Sequence, residues 1–185
     1  MKKLYFVRHG QSIYNAQKRY AGSLDVELSE LGKQQAQQVG EILKNLDIDI
    51  IVASSQKRAQ QTANIINKYL NLPLETDSDL REICVGLYEG LTREESQAKY
   101  PERWKQGLNS SFTQAIHEGE SAQEVQDRVF AALDRISEKH KEKKVLIVAH
   151  GFVSKAVNRY FNREITDEEF FSYIIDNCTV VEFSK

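Results

Sequence analysis

Cysteine is scarce in this 185-residue chain, charge of either sign is balanced, and no long hydrophobic run is present. Each absence removes a class of function. The two cysteines, Cys84 and Cys178, lie far apart and form no Cys-x-x-Cys or Cys/His ligand pattern, so they read as free thiols in a reducing compartment. Lys and Arg number 25 against 27 Asp and Glu, a formal net charge of -2. No global field draws such a chain to nucleic acid or to an anionic membrane, so any basic site must be local. The amino-terminal apolar stretch Leu4-Tyr5-Phe6-Val7 is too short for a secretory core or a membrane span. The expectation is a cytoplasmic protein with no membrane and no nucleic-acid partner. Repeats and low-complexity segments are also missing.

What is present is ordinary in amount, 41% hydrophobic residues, and informative in arrangement. Residues 3–8 read as a continuous apolar strand, as do Asp49 to Ala53, 145–149, and Cys178 to Phe183. Amphipathic helical patterns separate them. Ser29 can cap a helix carrying Ala36, Val39, Leu43 and Leu46. Ser55 can cap one carrying Ala59, Thr62, Ala63, Ile66, Tyr69 and Leu70, which Pro73 ends. Ser121 with Glu124 and Thr166 with Glu169 form capping boxes, and a further helix is expected from about Val153 to Tyr160. Strands that do not alternate, separated by such helices, predict a mostly parallel central sheet covered on both faces, a three-layer α/β/α sandwich. Length favours a single domain over 1–185. Residues 84–120, rich in glycine and with one helical stretch from about Thr92 to Lys99, fit the pattern worst and read as an insertion covering the strand ends.

Ligands of parallel sheets bind outside the carboxyl ends of the strands. Two such ends carry the same dipeptide, His9-Gly10 after the first strand and His150-Gly151 after the third, and Arg8 precedes His9. An arginine grips phosphate oxygens in bidentate fashion, and a neutral imidazole is a nucleophile without prior deprotonation. A glycine lets the backbone approach closely. Arg58, in the first turn of its helix, supplies a second cation beside a helix N-terminus. The pattern suits attack on a phosphoryl group. His140, among Lys139, Lys141, Glu142, Lys143 and Lys144, reads as part of a solvated helix end; His117 lies in the insertion, where substrate contact is possible. Acidic partners at ligand spacing are missing around His9 and His150, so no metal is expected.

Six blocks, in order and at fitting spacing, resemble the histidine phosphatase superfamily, which includes the cofactor-dependent phosphoglycerate mutases. They are Val7-Arg-His-Gly-Gln-Ser-Ile-Tyr-Asn15, Leu28-Ser-Glu-Leu-Gly32 with its continuation to Ala36, Ser54-Ser-Gln-Lys-Arg58 with its continuation to Ala63, Leu80-Arg-Glu82 with its continuation to Gly90, Gly119-Glu-Ser121, and Val148-Ala-His-Gly151. The resemblance implies a phosphoglycerate mutase-like fold and a phosphohistidine intermediate on His9. It implies that Arg8, Arg58 and His150 surround the phosphoryl oxygens, with a protonated His150 donating from both ring nitrogens. Asn15 and the Gly151 amide are further donors, and Glu82 is the carboxyl that protonates the leaving oxygen. No metal or other cofactor is implied.

The reading is a phosphomonoesterase acting on a small-molecule phosphate ester, as a monomer or homodimer. The alternative is a cofactor-dependent phosphoglycerate mutase, whose relatives carry a longer insertion with paired arginines and a carboxyl-terminal tail; here Arg93, Lys99, Arg103 and Lys105 are scattered. The short insertion is similar to that of broad-specificity and alpha-ribazole phosphatases. Tyr88, Trp104 and Phe112 either wall a pocket for an apolar alcohol or pack the insertion onto the sheet.

Overall fold

Three of the apolar runs form the middle of one sheet, and their burial on both faces explains why they do not alternate. The computed structural model describes residues 1–107, 111–115 and 118–184. Its strands are β1 (Lys3–Arg8), β2 (Ile50–Ser54), β3 (Leu74–Asp77), β4 (Lys144–Ala149) and β5 (Val180–Phe183), in the order β3-β2-β4-β1-β5. All neighbours are parallel except β5, which runs antiparallel to β1. The helices among the described residues are α1 (Ile13–Ala16), α2 (Glu30–Leu43), α3 (Lys57–Leu70), α4 (Arg93–Lys99), α5 (Pro101–Lys105), α6 (Ala122–Lys139), α7 (Gly151–Phe161) and α8 (Asp167–Ser172).

The period of two in the strands divides the core into two layers. Tyr5, Val7, Ile51, Ala53, Leu146 and Val148 pack against Val39 and Leu43 of α2 and Ala63 and Ile66 of α3. Their neighbours Leu4, Phe6, Ile50, Val52, Val145 and Ile147 pack against α6 and α7. The result is the expected three-layer α/β/α sandwich with a mostly parallel sheet. Register pairs Arg8 with Ala149 and Ala53 with Val148, so the carboxyl ends of β1, β4 and β2 stand side by side. The next residues in each chain are therefore neighbours in space.

Several local expectations change. β3 was not anticipated: Leu74-Glu-Thr-Asp77 is half-buried at the sheet edge and lacks the apolar run that marks β1, β2 and β4. Ser55 does not cap α3. Gln56 takes the extended N-cap conformation, makes no side-chain cap, and the Lys57 amide donates instead to Asp25 Oδ1 at 2.5 Å. α2 ends at Leu43, short of Leu46. α1 and α5 are short turns that carry too few periodic positions to stand out.

His140 is buried, 5% exposed, with Nε2 3.4 Å from Glu75 Oε2 of β3, because the edge strand packs back over the end of α6. The solvated setting expected of it is wrong. Both cysteines are free but half-buried, and burial pushes the Cys178 thiol up to about 12. Among the described residues no helix is long and apolar enough to cross a membrane.

Candidate active site

Where β1 ends, the chain is clamped from two sides. The Gly10 amide donates to Thr62 Oγ1 of α3 at 3.1 Å, and Asn177 Nδ2 donates to the His9 carbonyl at 2.7 Å. A Cβ on Gly10 would lie 2.4 Å from the Gly32 carbonyl oxygen, and one on Gly32 would lie 2.0 Å from that of Gln11. The two glycines thus let α2 press its first turn against the loop after β1. Gly10 serves this backbone contact, and its amide is spent on Thr62, so the expected close approach is to α2 and not to a ligand.

That clamp fixes the His9 ring. Its Nδ1–H donates to the Gly10 carbonyl at 2.7 Å, which leaves the lone pair on Nε2. Arg58 Nε donates to that same Nε2 at 3.2 Å, consistent with an unprotonated nitrogen. Burial, with Arg58 and Arg8 adding to it, holds the imidazole well below the ordinary histidine range. His9 is therefore a neutral base whose Nε2 faces a guanidinium.

Arg58 is 1% exposed, and its other nitrogens are fixed by the chain from 22 to 24: Nη1 donates to the Leu24 carbonyl at 2.8 Å and Nη2 to that of Gly22 at 2.9 Å. Burial lowers its pKa while Glu82, Asp25 and Glu89 oppose the shift, and an arginine remains a cation under such balance. Arg8 donates from Nη1 to the Ile175 carbonyl at 2.7 Å, and its Nε is buried with no hydrogen-bond partner among the described residues. Glu82 accepts from the Phe152 amide at the start of α7 at 3.0 Å and from the Ile83 amide at 3.1 Å.

His150 lies behind His9, fully buried, with ring centroids 5.1 Å apart. Burial, then Arg58 and His9, hold it well below the ordinary histidine range. The ring is neutral here, against the expectation of a protonated, doubly donating His150; the charge that favours the imidazolium would have to arrive with an anion. Its Nε2 is 2.7 Å from Ser54 Oγ, and Nδ1 is buried without a partner among the described residues. Ser54 Oγ also accepts, weakly, from the Gln56 amide at 3.4 Å. We assign the hydroxyl proton to the bond with Nε2, which places the ring proton on Nδ1.

A pocket of about 270 Å³ opens at this point, and Arg8, His9, Asn15, Arg58 and Glu82 line it. Asn15 accepts from the Ser12 amide at 3.1 Å through Oδ1, which leaves Nδ2 as its donor. Gly151 forms no part of the lining; it sits beside Arg8, with room for a Cβ 3.5 Å from the guanidinium. Tyr88, Trp104 and Phe112 do not line the pocket. Tyr88 is fully buried with Trp104 packed edge-on against it at 5.9 Å, and Phe112 packs on Phe170 at 5.2 Å. His117 lies outside the described residues. Residues that sequence reasoning passed over include Gln56, whose Oε1 accepts from the Glu82 amide at 2.7 Å and from Arg58 Nη2 at 3.3 Å while its Nε2 donates to the Gly22 carbonyl. It joins the cation side of the pocket to the carboxyl side. Thr62, which accepts from the Gly10 amide and donates to the Arg58 carbonyl, and Ser54, bonded to His150, likewise act through contacts that no spacing rule reveals.

A neutral histidine presenting a lone pair, the buried Arg58 and half-buried Arg8 guanidinium groups and a carboxyl in the same pocket form a site for a tetrahedral anion. Comparison with known proteins agrees with that chemistry. The sequence profile of the histidine phosphatase superfamily, branch 1, matches residues 4–184. The chain belongs to that superfamily. Among curated relatives of this superfamily chain, the uncharacterized phosphatase PhoE of Bacillus subtilis is 37% identical over 151 residues, covering 82% of this chain and 72% of its own length. A probable phosphoglycerate mutase, GpmB of Yersinia pestis, is 39% identical over 156 residues, with 82% and 70% covered. Among solved structures, a mycobacterial glucosyl-3-phosphoglycerate phosphatase in complex with VO3 superposes with a TM-score of 0.89 at 29% identity, covering 98% of this chain and 90% of that one. Membership and phosphatase-named relatives make this histidine phosphatase an enzyme of the phosphatase class.

Proposed function

We propose that the protein is a metal-independent phosphomonoesterase that hydrolyses a small-molecule phosphate ester through a phosphohistidine on His9. In the first step Nε2 attacks phosphorus, the P–O bond to the alcohol breaks, and Glu82 gives its proton to the leaving oxygen. In the second, water attacks phosphorus, Glu82 takes the water's proton, the P–N bond breaks and inorganic phosphate leaves. Arg8, Arg58 and the Nδ1–H of His150 hold the phosphoryl oxygens, and Asn15 completes the donor set; Gly151, beside Arg8 and outside the pocket lining, is left out of it. The observation that carries this reading is the convergence of a lone pair and unpaired donors. His9 Nε2 is kept unprotonated by the Gly10 carbonyl on Nδ1, while Arg8 Nε and His150 Nδ1 are buried with no partner among the described residues.

A mutase must hold a second anionic group of its bisphosphate, and the cations of the 84–120 segment are engaged elsewhere. Arg93 lies over the Trp104 ring, Lys99 over Tyr100, Arg103 is 3.6 Å from Glu118 and Lys105 is 2.7 Å from Glu102. None of the four lines the pocket, which supports hydrolysis over phosphoryl return.

The test is phosphate release from a panel of monoesters, 3-phosphoglycerate included, by protein treated with EDTA, with His9→Ala alongside. Release that falls at least about a thousandfold in the variant is expected, together with an acid-labile phosphoryl label on wild-type protein quenched during turnover. Comparable turnover by His9→Ala removes His9 as nucleophile. Interconversion of 2- and 3-phosphoglycerate without release would install the mutase in its place.

A further inference from the structure

The walls of the pocket away from His9 carry a second message, about the alcohol of the ester. Tyr20, Ala21, Ile83, Val85 and Phe152 line it with largely apolar side chains. Of its three cations, Arg8 and Arg58 flank His9 and are taken up by the phosphate itself. The third, Arg19, is already neutralised: Nη1 and Nη2 hold the Glu95 carboxylate at 2.5 and 3.0 Å, and Nη1 also donates to the Gly90 carbonyl at 2.7 Å. Glu95 is itself fixed by the Thr92 capping box at the start of α4, so this pair is built into the fold. Once a phosphate is seated, no cation among the described lining residues is left for a second anionic group, and the Glu82 carboxyl offers it no attraction.

We propose that the pocket selects phosphate monoesters of uncharged, predominantly apolar alcohols, and discriminates against esters that carry a carboxylate or a second phosphate. The proposal rests on the phosphatase reading for its substrates but not for its geometry. Carbon-lined walls reward burial of alkyl or aryl surface, and they strip water from a carboxylate without supplying a partner. Tyr20, Ile83, Val85 and Phe152 thus take the place that Tyr88, Trp104 and Phe112 were considered for.

The test compares alkyl phosphates of rising length, ethyl to n-hexyl, with 3-phosphoglycerate, all of which release alkoxide-type leaving groups. The expected result is a rise in kcat/KM of about tenfold or more from ethyl to hexyl phosphate, carried by KM, with 3-phosphoglycerate below hexyl phosphate. Ala21→Lys, at the half-exposed edge of the pocket, should lower KM for 3-phosphoglycerate and narrow that gap. Equal or better use of 3-phosphoglycerate, or no dependence on chain length, overturns the inference. Calorimetry with n-hexylphosphonate and 3-phosphonopropionate separates the two readings, since neither compound is hydrolysed. Tighter binding of hexylphosphonate by a protein that hydrolyses no ester would sustain the pocket's selectivity and remove only the phosphatase reading; tighter binding of the carboxylated compound would remove the selectivity.

Discussion

One proton on His150 decides what that ring offers the site, and Ser54 decides where the proton sits. With the Ser54 hydroxyl donating to Nε2, the neutral ring keeps its hydrogen on Nδ1, the buried atom that has no other partner. Ser54→Ala removes the only hydrogen bond on Nε2 among the described residues, so the ring can turn that nitrogen into the protonated one and present a lone pair where a donor is needed. Loss of a buried partner costs about 1–3 kcal/mol, which predicts a fall in kcat/KM of roughly ten- to a hundredfold. Nitrogen NMR of the imidazole separates this from simple damage, because Ser54→Ala should move the tautomer while Ser54→Thr should restore it. An unchanged tautomer and unchanged kcat/KM would leave Ser54 as packing alone. The sequence made His9, Arg58 and Glu82 visible because their types and blocks carry meaning, and the structure brings all three to one pocket. Ser54, Gln56 and Thr62 stayed hidden because each is an ordinary polar residue whose part depends on partners distant in sequence.

Secondary elements were legible where burial on both faces demanded continuous apolar strands, as in β1, β2 and β4, and illegible where an edge strand could be half polar, as in β3. The packing of one element on another is a different matter, and the contact of α2 with the loop after β1 shows why. Helix propensity alone favours alanine over glycine by about 1 kcal/mol at Gly32. A Cβ there would stand 2.0 Å from the Gln11 carbonyl oxygen, and the obstacle is backbone, which cannot rotate aside. Overpacking costs typically about 1–3 kcal/mol and more when the backbone must move, so the contact decides the sign. Gly32→Ala is expected to lower stability by roughly 2 kcal/mol, or about 4–8 °C in Tm for a chain of this size. Because Gln11 follows His9-Gly10 directly, the displaced loop should also take activity with it. A melting temperature equal to or above that of the parent would show that α2 has freedom to retreat.

For the molecule as a whole, the site is a stored electrostatic load. The end of the sheet buries Arg58, places Arg8 beside it, and holds His9 and His150 neutral by burial and by those same cations. Both imidazoles therefore have folded values below the ordinary one near 6.5. The sign follows: below about pH 6.5 the unfolded chain takes up two protons that the folded chain refuses, so stability present at higher pH is lost as pH falls, until the folded values are reached. Each ring contributes at most about 1.4 kcal/mol per pH unit, so from pH 7.5 to 5.5 the loss from the pair has a ceiling of about 3 kcal/mol. Urea midpoints across that range should fall in the parent and fall less in a His9→Gln, His150→Gln double variant, whose amides do not titrate. A parent curve as flat as the variant's would mean that the folded rings accept protons readily and that His9 is not kept in its nucleophilic form. Added inorganic phosphate should oppose the loss, because a dianion between Arg8 and Arg58 supplies the negative charge that the site lacks and makes a protonated His150 affordable only when the ligand is present.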